Sequence, residues 1–387
     1  MRRLSSAETS NSEIIAFTKG GRDIRFSRLQ QGDEAPREFF YGFPALEPAG
    51  LSASLFSSAG AVPGFAGRVA DFAEGLMARL TGIGIRPLSA RLRMASLPQA
   101  KVILSYTDGF SLSLGYASAG RKNRPIILGG FHALSDIEER VPAPMQRLSR
   151  ALIRRSLAGI DHIFFFGPAD RQFAIDRYDI EPNRTSVIPF GIDTDFWRPL
   201  TDTRTEDFVV AVGQDPNRDY DLLAIAPGQH PIKIVTRRKV KVPANASHIQ
   251  ILAGDYFGAE SMSDDELRRT YNRAKAVVVP LKDVWQPSGY SVTLQAMSCG
   301  RPVILSKIRG LWAPELFKDG ENCLLVQPGN AAALGGAIDR VRSDTDFCAQ
   351  LGRAARETAV KHFNLDRGHK GTLELAKLGL SLWRDRK

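Results

Sequence analysis

Ala276–Ser306 reads AVVVPLKDVWQPSGYSVTLQAMSCGRPVILS, and the order of residue types in it decides the fold. AVVVPL, Ala276–Leu281, is a continuous apolar run of strand length, the pattern of a strand covered on both faces. The loop after it holds Gln286, Pro287, Ser288 and Gly289. Tyr290–Cys299 predicts a helix closed by Gly300, because glycine takes the left-handed backbone that ends a helix without steric cost. PVILS, Pro302–Ser306, is the next strand. Strand, loop, helix and strand in so short a stretch is the repeating step of a parallel, doubly wound α/β sheet.

The alternation continues in both directions. Upstream, Phe208–Val212 is an apolar strand closed by Gly213, with a helix predicted from Asp219. Ile232–Thr236 and His248–Leu252 are further strands. Ser263-Asp-Asp-Glu266 has the spacing of a capping box and opens a helix to about Ala274. Downstream, Asn322–Val326 is a short strand, and Asn330 caps a helix to about Val341. The first half repeats the theme with strands at Lys101–Tyr106, Pro125–Leu128, His162–Phe166 and Thr185–Ile188. Ser12–Phe17 is expected as its first strand, and Gly67–Leu80 and Pro144–Leu157 as helices. Residues 12–60 otherwise show no clear pattern. The expected organisation is a mobile tail at 1–11, a Rossmann-like domain at 12–198, a linker at 199–207, a second Rossmann-like domain at 208–368 and a C-terminal helix at 369–387.

Bulk properties narrow the function classes. The 387 residues are 43% hydrophobic and 24% charged, which is globular rather than disordered. The net charge of +10 favours anionic partners, but it is dispersed without a lysine-rich tail, so a phosphate-bearing substrate or a membrane surface is expected ahead of nucleic acid. Cys299, Cys323 and Cys348 form no CxxC pair, which suits a reduced cytoplasmic setting and argues against a zinc cage. Two arginines near the start lack a following apolar run, so no signal peptide is expected, and no stretch is long enough for a transmembrane helix. Arg147, Arg150, Arg154 and Arg155 share a predicted helix with Leu148, Leu152, Ile153 and Leu157. That pattern suits either a solvated face over a core stripe or peripheral contact with an anionic membrane.

The loop before Tyr290 has the chemistry of an anion site. A helix start offers free N–H groups and a partial positive charge, and Gly289 lets a ligand approach the backbone. In open α/β sheets ligands lie beyond the carboxyl ends of the strands, where this loop falls. A purely structural βα turn has the same composition.

The segment SGYSVTLQAMSCGRPVI, 288–304, resembles the donor-site signature of family 4 (group 1) retaining glycosyltransferases. IPFGIDTDFWRP at 188–199, VGQDPNRDYDLL at 212–223, Leu267–Pro280 and DGENCLLVQPG at 319–329 are similar to other family segments, in the family's order. The resemblance implies a GT-B fold, two Rossmann-like doubly wound domains facing across a cleft. It implies a nucleoside-diphosphate-sugar donor, an unidentified hydroxyl acceptor such as a polysaccharide or lipid-linked glycan precursor, retained configuration, and neither cofactor nor metal. The resemblance puts donor contacts at Gly213, Arg218, Ser288, Gly289, Tyr290, Ser291 and Gln295; Gln214 stands where the family has an arginine, and Arg237, just past the strand ending at Thr236, is placed to supply the missing charge. Arg218 and Arg237 would meet the diphosphate, while Arg238 and Lys239 read as a solvated basic turn. On the acceptor side Gly130, Phe131 and His132 would form a loop after the strand PIIL, with Asp136 supporting His132 and Asp108 nearby. His132 and Arg218 are the candidate catalytic residues. The sequence departs from the family at its two motif glutamates, which are Pro287 and Gln295 here. Gln295 would still reach the donor ribose as a neutral hydrogen-bonding group. The departures leave open a catalytically silent homologue that binds a nucleotide sugar or a partner, or an epimerase or phosphorylase of the same fold.

Overall fold

The structure is a computed structural model that describes residues 12–32, 34–58, 62, 64–252 and 262–386. The expected tail at 1–11 lies outside the described residues. The chain divides into two compact units. Unit 1 is Met1–Asp33, Phe39–Pro189 and Gly368–Lys387; unit 2 is Glu34–Glu38 and Phe190–Arg367.

Unit 1 is built on β1 (Ile14–Thr18), β2 (Ala53–Ser57), β3 (Val102–Ser105), β4 (Ile126–Phe131), β5 (His162–Phe165) and β6 (Thr185–Val187). They form one six-stranded sheet in the order β2-β1-β3-β4-β5-β6. Every pairing is parallel. Ile15, Phe17, Ile103, Ile127, Phe131, Ile163 and Phe165 carry the core. The apolar runs read from the sequence are thus strands buried on both faces.

Unit 2 holds β7 (Val209–Val212), β8 (Ile232–Val235), β9 (Ile249–Leu252), β10 (Ala276–Val279), β11 (Val303–Ser306) and β12 (Leu324–Val326). Their order, β12-β11-β10-β7-β8-β9, is the doubly wound Rossmann order, again all parallel. Asp219, Ser263 and Asn330 accept hydrogen bonds from Leu222, Glu266 and Ala333 N–H at the starts of their helices, as N-caps do.

The structure corrects two expectations. First, the linker expected at 199–207 is packed into unit 2. Leu200 N–H donates to Asn272 at 2.9 Å, and Arg356 donates to the carbonyls of Thr194 and Trp197. The chain leaves unit 1 after Pro189 instead. Second, Gly130 and Phe131 lie within β4, not in a loop beyond it. The glycines there serve packing: a Cβ on Gly129 would lie 2.9 Å from Ile160, and one on Gly130 would lie 2.4 Å from the Phe164 ring. Phe131 is a core residue. On the arginine-bearing helix Gln146–Ala158, Arg147, Arg154 and Arg155 are exposed while Ile153 and Leu157 are buried, a solvated face over a core stripe, and Arg150 pairs with the buried carboxylate of Glu138. The C-terminal segment from Gly368 belongs to unit 1. Thr372 there donates to the Tyr41 carbonyl, and Gly379 lies against Val102 and Leu128.

Candidate active site

In each sheet the chain reverses its winding direction beside the first strand, and that switch point is where open α/β sheets bind ligands. In unit 2 the switch lies between β7 and β10. The loops after these two strands are zipped together. Asp219 N–H donates to the Pro280 carbonyl and Lys282 N–H to the Asn217 carbonyl, both at 2.9 Å. Asp215 organises the first loop by accepting from Asn217 N–H at 2.9 Å, and it accepts from the Ser288 hydroxyl of the second loop.

Arg218 sits between these loops, only 5% exposed. A Cβ on Gly213 would fall 2.7 Å from its Nε, and one on Gly289 would fall 3.0 Å from its Nη1. Both glycines have positive φ, 138° and 83°. Both positions are therefore reserved for glycine by backbone and by space. The guanidinium Nε and Nη1 are buried and make no hydrogen bond. A buried charge without a partner is costly, so an anion bound against it would be strongly favoured. The helix Tyr290–Ser298 starts at Gly289 without a side-chain cap, which leaves its first-turn N–H groups for a ligand. Ser288 is buried, while Tyr290 and Ser291 at the helix start are half-buried. The Tyr290 ring meets Phe190 edge-on at 4.3 Å.

The other donor-side expectations divide. Gln214 turns its side-chain carbonyl inward, accepting from Arg237 N–H at 3.0 Å. The Arg237 side chain is exposed. Arg238, read as a solvated basic residue, instead clamps the loop by donating to the carbonyls of Asp215 and Arg218. Gln295 is corrected as well. It is fully buried, accepts from Tyr271 OH at 3.2 Å and donates to Glu38 Oε1 at 3.1 Å, so both ends of its amide are engaged within unit 2 rather than offered to a ribose. Trp197 Nε1 donates to the same Glu38 oxygen at 2.7 Å. Burial pushes the Glu38 carboxyl up to about 7, against the opposing hydrogen bonds from Trp197 and Gln295. The segment Glu34–Glu38 is held in unit 2 by the paired contacts of Arg37 with Asp193 and by Arg268 with Glu34.

In unit 1 the switch lies between β1 and β3. Loops after β1, β2, β3 and β4 surround a cavity of about 440 Å³ there, lined among others by Lys19, Arg22, Tyr106, Asp108 and His132. Asp108 accepts from the N–H groups of His132 and Ala133 at 3.0 and 2.9 Å, and burial raises its carboxyl above the usual range. His132 Nε2 lies 3.1 Å from the Tyr106 carbonyl, so this nitrogen carries the proton and donates. The ring stacks on Phe166 at 4.3 Å. Burial first, and then the Arg22 charge, lower its pKa to about 3. His132 is therefore a neutral hydrogen-bonding group at physiological pH, not a general acid. Asp136, expected to support His132, pairs with Arg140 at 2.6 Å instead, and the supporting carboxylate is Asp108.

The sequence reading missed Lys19 and Arg22. The signal was Lys19-Gly-Gly-Arg22 directly after the predicted first strand, a glycine-rich turn at the carboxyl end of a parallel strand. Among the described residues no cluster of three or more His, Cys, Asp or Glu side chains has metal-binding geometry.

Comparison with known proteins agrees with this layout. The profile described as Glycosyl transferases group 1 matches residues 212–344, and that of Glycosyltransferase Family 4 matches 66–196. Alpha-maltose-1-phosphate synthase of Mycobacterium tuberculosis is 24% identical over 72% of this chain and 79% of its own length. D-inositol 3-phosphate glycosyltransferase of Acidothermus cellulolyticus is 29% identical over 51% of this chain and 49% of its own. Among solved structures, sucrose-phosphate synthase of Thermosynechococcus elongatus aligns over 95% of this chain and 99% of its own, with a TM-score of 0.68 and 17% identity. Anabaena Alr3699/HepE, solved with UDP and glucose, aligns over 95% of this chain and 100% of its own, with a TM-score of 0.63 and 17% identity. The two profiles fall in succession on the two halves of the chain, the second over the switch-point loops of unit 2, and the chain belongs to the group 1, family 4 glycosyltransferases of GT-B fold.

Proposed function

We propose that the protein transfers a sugar from a nucleoside-diphosphate donor to a hydroxyl acceptor, with retention of configuration and without a metal or cofactor. The observation that carries this reading is Arg218, a buried guanidinium with two unpartnered nitrogens, held between two glycine loops beside an uncapped helix start. These groups suit the diphosphate leaving group. As the bond from the anomeric carbon to the diphosphate oxygen breaks, its electron pair goes to that oxygen, where fixed N–H dipoles and a guanidinium stabilise charge best in a dry site. The acceptor oxygen attacks from the same face, and its proton passes to the departing phosphate oxygen. Neutral His132 orients a sugar hydroxyl in this scheme and moves no proton. The solved relative with UDP and glucose supports a nucleotide-sugar donor.

Incubation with a panel of nucleotide sugars, followed by NMR of the product's anomeric proton, tests the reading. Transfer or slow hydrolysis with the donor's configuration kept is expected. An inverted product contradicts retention. Binding without any turnover favours the silent homologue, which the missing motif carboxylates at Pro287 and Gln295 motivate.

Peripheral contact with an anionic membrane fits a different helix from the one expected. On Gly64–Thr81, Phe65, Val69, Phe72, Leu76 and Leu80 are exposed at spacings of one helical face. Arg68, Arg79 and Arg91 are exposed nearby, while Glu74 is buried against Ser89. An apolar stripe bordered by cations suits an anionic bilayer. Phe72→Glu should abolish flotation with anionic vesicles; unchanged flotation contradicts this contact.

A further inference from the structure

We infer that unit 2 selects a neutral donor sugar through one of its hydroxyls, which bridges the indole N–H of Trp312 and the side-chain carbonyl of Gln286. This inference rests on the transfer reading above and names the class of sugar that the donor carries.

Both residues are nearly sealed from water, Trp312 at 7% exposed and Gln286 at 5%. Trp312 Nε1 and Gln286 Oε1 are buried and make no hydrogen bond. A buried indole N–H ordinarily finds an acceptor, and leaving a buried polar group unpaired is costly. The indole nitrogen can only donate, and the amide oxygen can only accept. Neither carries a charge.

The fold brings the two residues to the start of the helix Tyr290–Ser298. On the turn before that helix, Ser288 N–H donates back to the Gln286 backbone carbonyl at 2.7 Å. The loop after β11 is lashed to the same turn. Gly310 N–H donates to the Val284 carbonyl at 2.8 Å, and a Cβ on Gly310 would lie 2.1 Å from the Gln286 backbone oxygen. Only glycine permits that approach. Trp312 follows on this loop, and its ring meets Tyr290, the first residue of the helix, edge-on at 6.1 Å. Its ring also meets Phe317 edge-on at 4.9 Å. Packing on these rings holds the indole in place, so its N–H is a preset donor.

A hydroxyl donates and accepts at one oxygen, so a single hydroxyl satisfies both groups. A carboxylate in its place has no proton for Gln286 and sets its charge against that carbonyl. An ammonium has no lone pair for Trp312. A sugar lacking oxygen at this position leaves both groups unpaired, and sites built to bind a hydroxyl discriminate strongly against such analogues.

The test is calorimetric, on the whole protein, with UDP and GDP, and with UDP-glucose, UDP-galactose, UDP-N-acetylglucosamine and GDP-mannose as neutral sugar nucleotides. For at least one of these four, Trp312→Phe and Gln286→Leu should each weaken binding about fivefold or more, while the matching diphosphate stays within about twofold. Diphosphate binding also reports that each variant is folded. Among monodeoxy analogues of that sugar nucleotide, the one lacking the bridging hydroxyl should bind the natural protein and Trp312→Phe alike. Parallel weakening of sugar nucleotide and diphosphate makes the two residues structural and overturns the inference. So does unchanged binding of all four, or a loss in Trp312→Phe that persists with every deoxy analogue. Tighter binding of UDP-glucuronate or UDP-glucosamine than of the four overturns the choice of a neutral sugar. In each of these cases diphosphate binding that is lost in Arg218→Met keeps the donor reading intact. Failure of both diphosphates to bind the natural protein sinks the donor reading, and this inference with it.

Discussion

The two units place an arginine at the same topological point and use it differently. In unit 2, Arg218 is sealed between zipped loops, and the ligand-facing groups left are backbone N–H and glycine. In unit 1, Arg22 lines an open cavity with an aromatic wall and mixed side chains. A sealed arginine on a rigid backbone cradle suits a group common to every donor, the diphosphate. A cavity lined by side chains suits a variable partner, because its chemistry changes with single substitutions. On the proposed reading, one fold used twice separates the shared half of the reaction from the specific half.

The strongest way to break this comparison is Arg218→Met. Turnover should fall about 10²–10³-fold, as for loss of one principal charge-stabilising group. Thermal stability should hold or rise, because an unpaired buried charge is removed. A fall in melting temperature with turnover intact would make Arg218 structural. Next is Gln295→Glu, which restores a motif residue and yet sets a second carboxyl against Glu38. It should cost roughly 3 kcal/mol in chemical denaturation, recovered when Glu38→Gln is added.

The buried carboxyls sharpen the comparison through pH. Burial raises Glu38 in unit 2 and Asp170 in unit 1 to about 7 each. A carboxyl raised in the folded state contributes stability that is fully present below its unfolded pKa, near 4.5 for Glu38. That contribution is lost as pH rises through about 7. Glu38→Gln and Asp170→Asn should each reduce the stability decline between these limits, and the double variant should reduce it more than either alone. The smallest effect is expected of Asp136→Asn. With Asp136 paired to Arg140, turnover should stay within about twofold.

Unit 2 was readable because its site lies in contiguous loops bounded by unbroken apolar strands. Gly213, Arg218, Ser288 and Gly289 all come from such loops. Two of its features were not readable. Gln295 meets Glu38 across a sequence separation of 257, and nothing local marks that contact. Arg238 looks solvated in sequence, and only folding brings it to two backbone carbonyls. Unit 1 hid more. Its β2 is half-buried, and the chain before it forms short 3-10 turns, so neither a helical nor a strand period emerges there. Gly129-Gly130 suggested a loop because glycine commonly marks turns, but these glycines make room for Ile160 and Phe164 inside a strand.

In the proposed reaction unit 2 holds the donor's diphosphate on Arg218. Calorimetric titration of the natural protein and Arg218→Met with a panel of nucleoside diphosphates tests it most directly. At least one diphosphate should bind the natural protein, and Arg218→Met should weaken it at least thirtyfold. Equal affinity in the two proteins would contradict it.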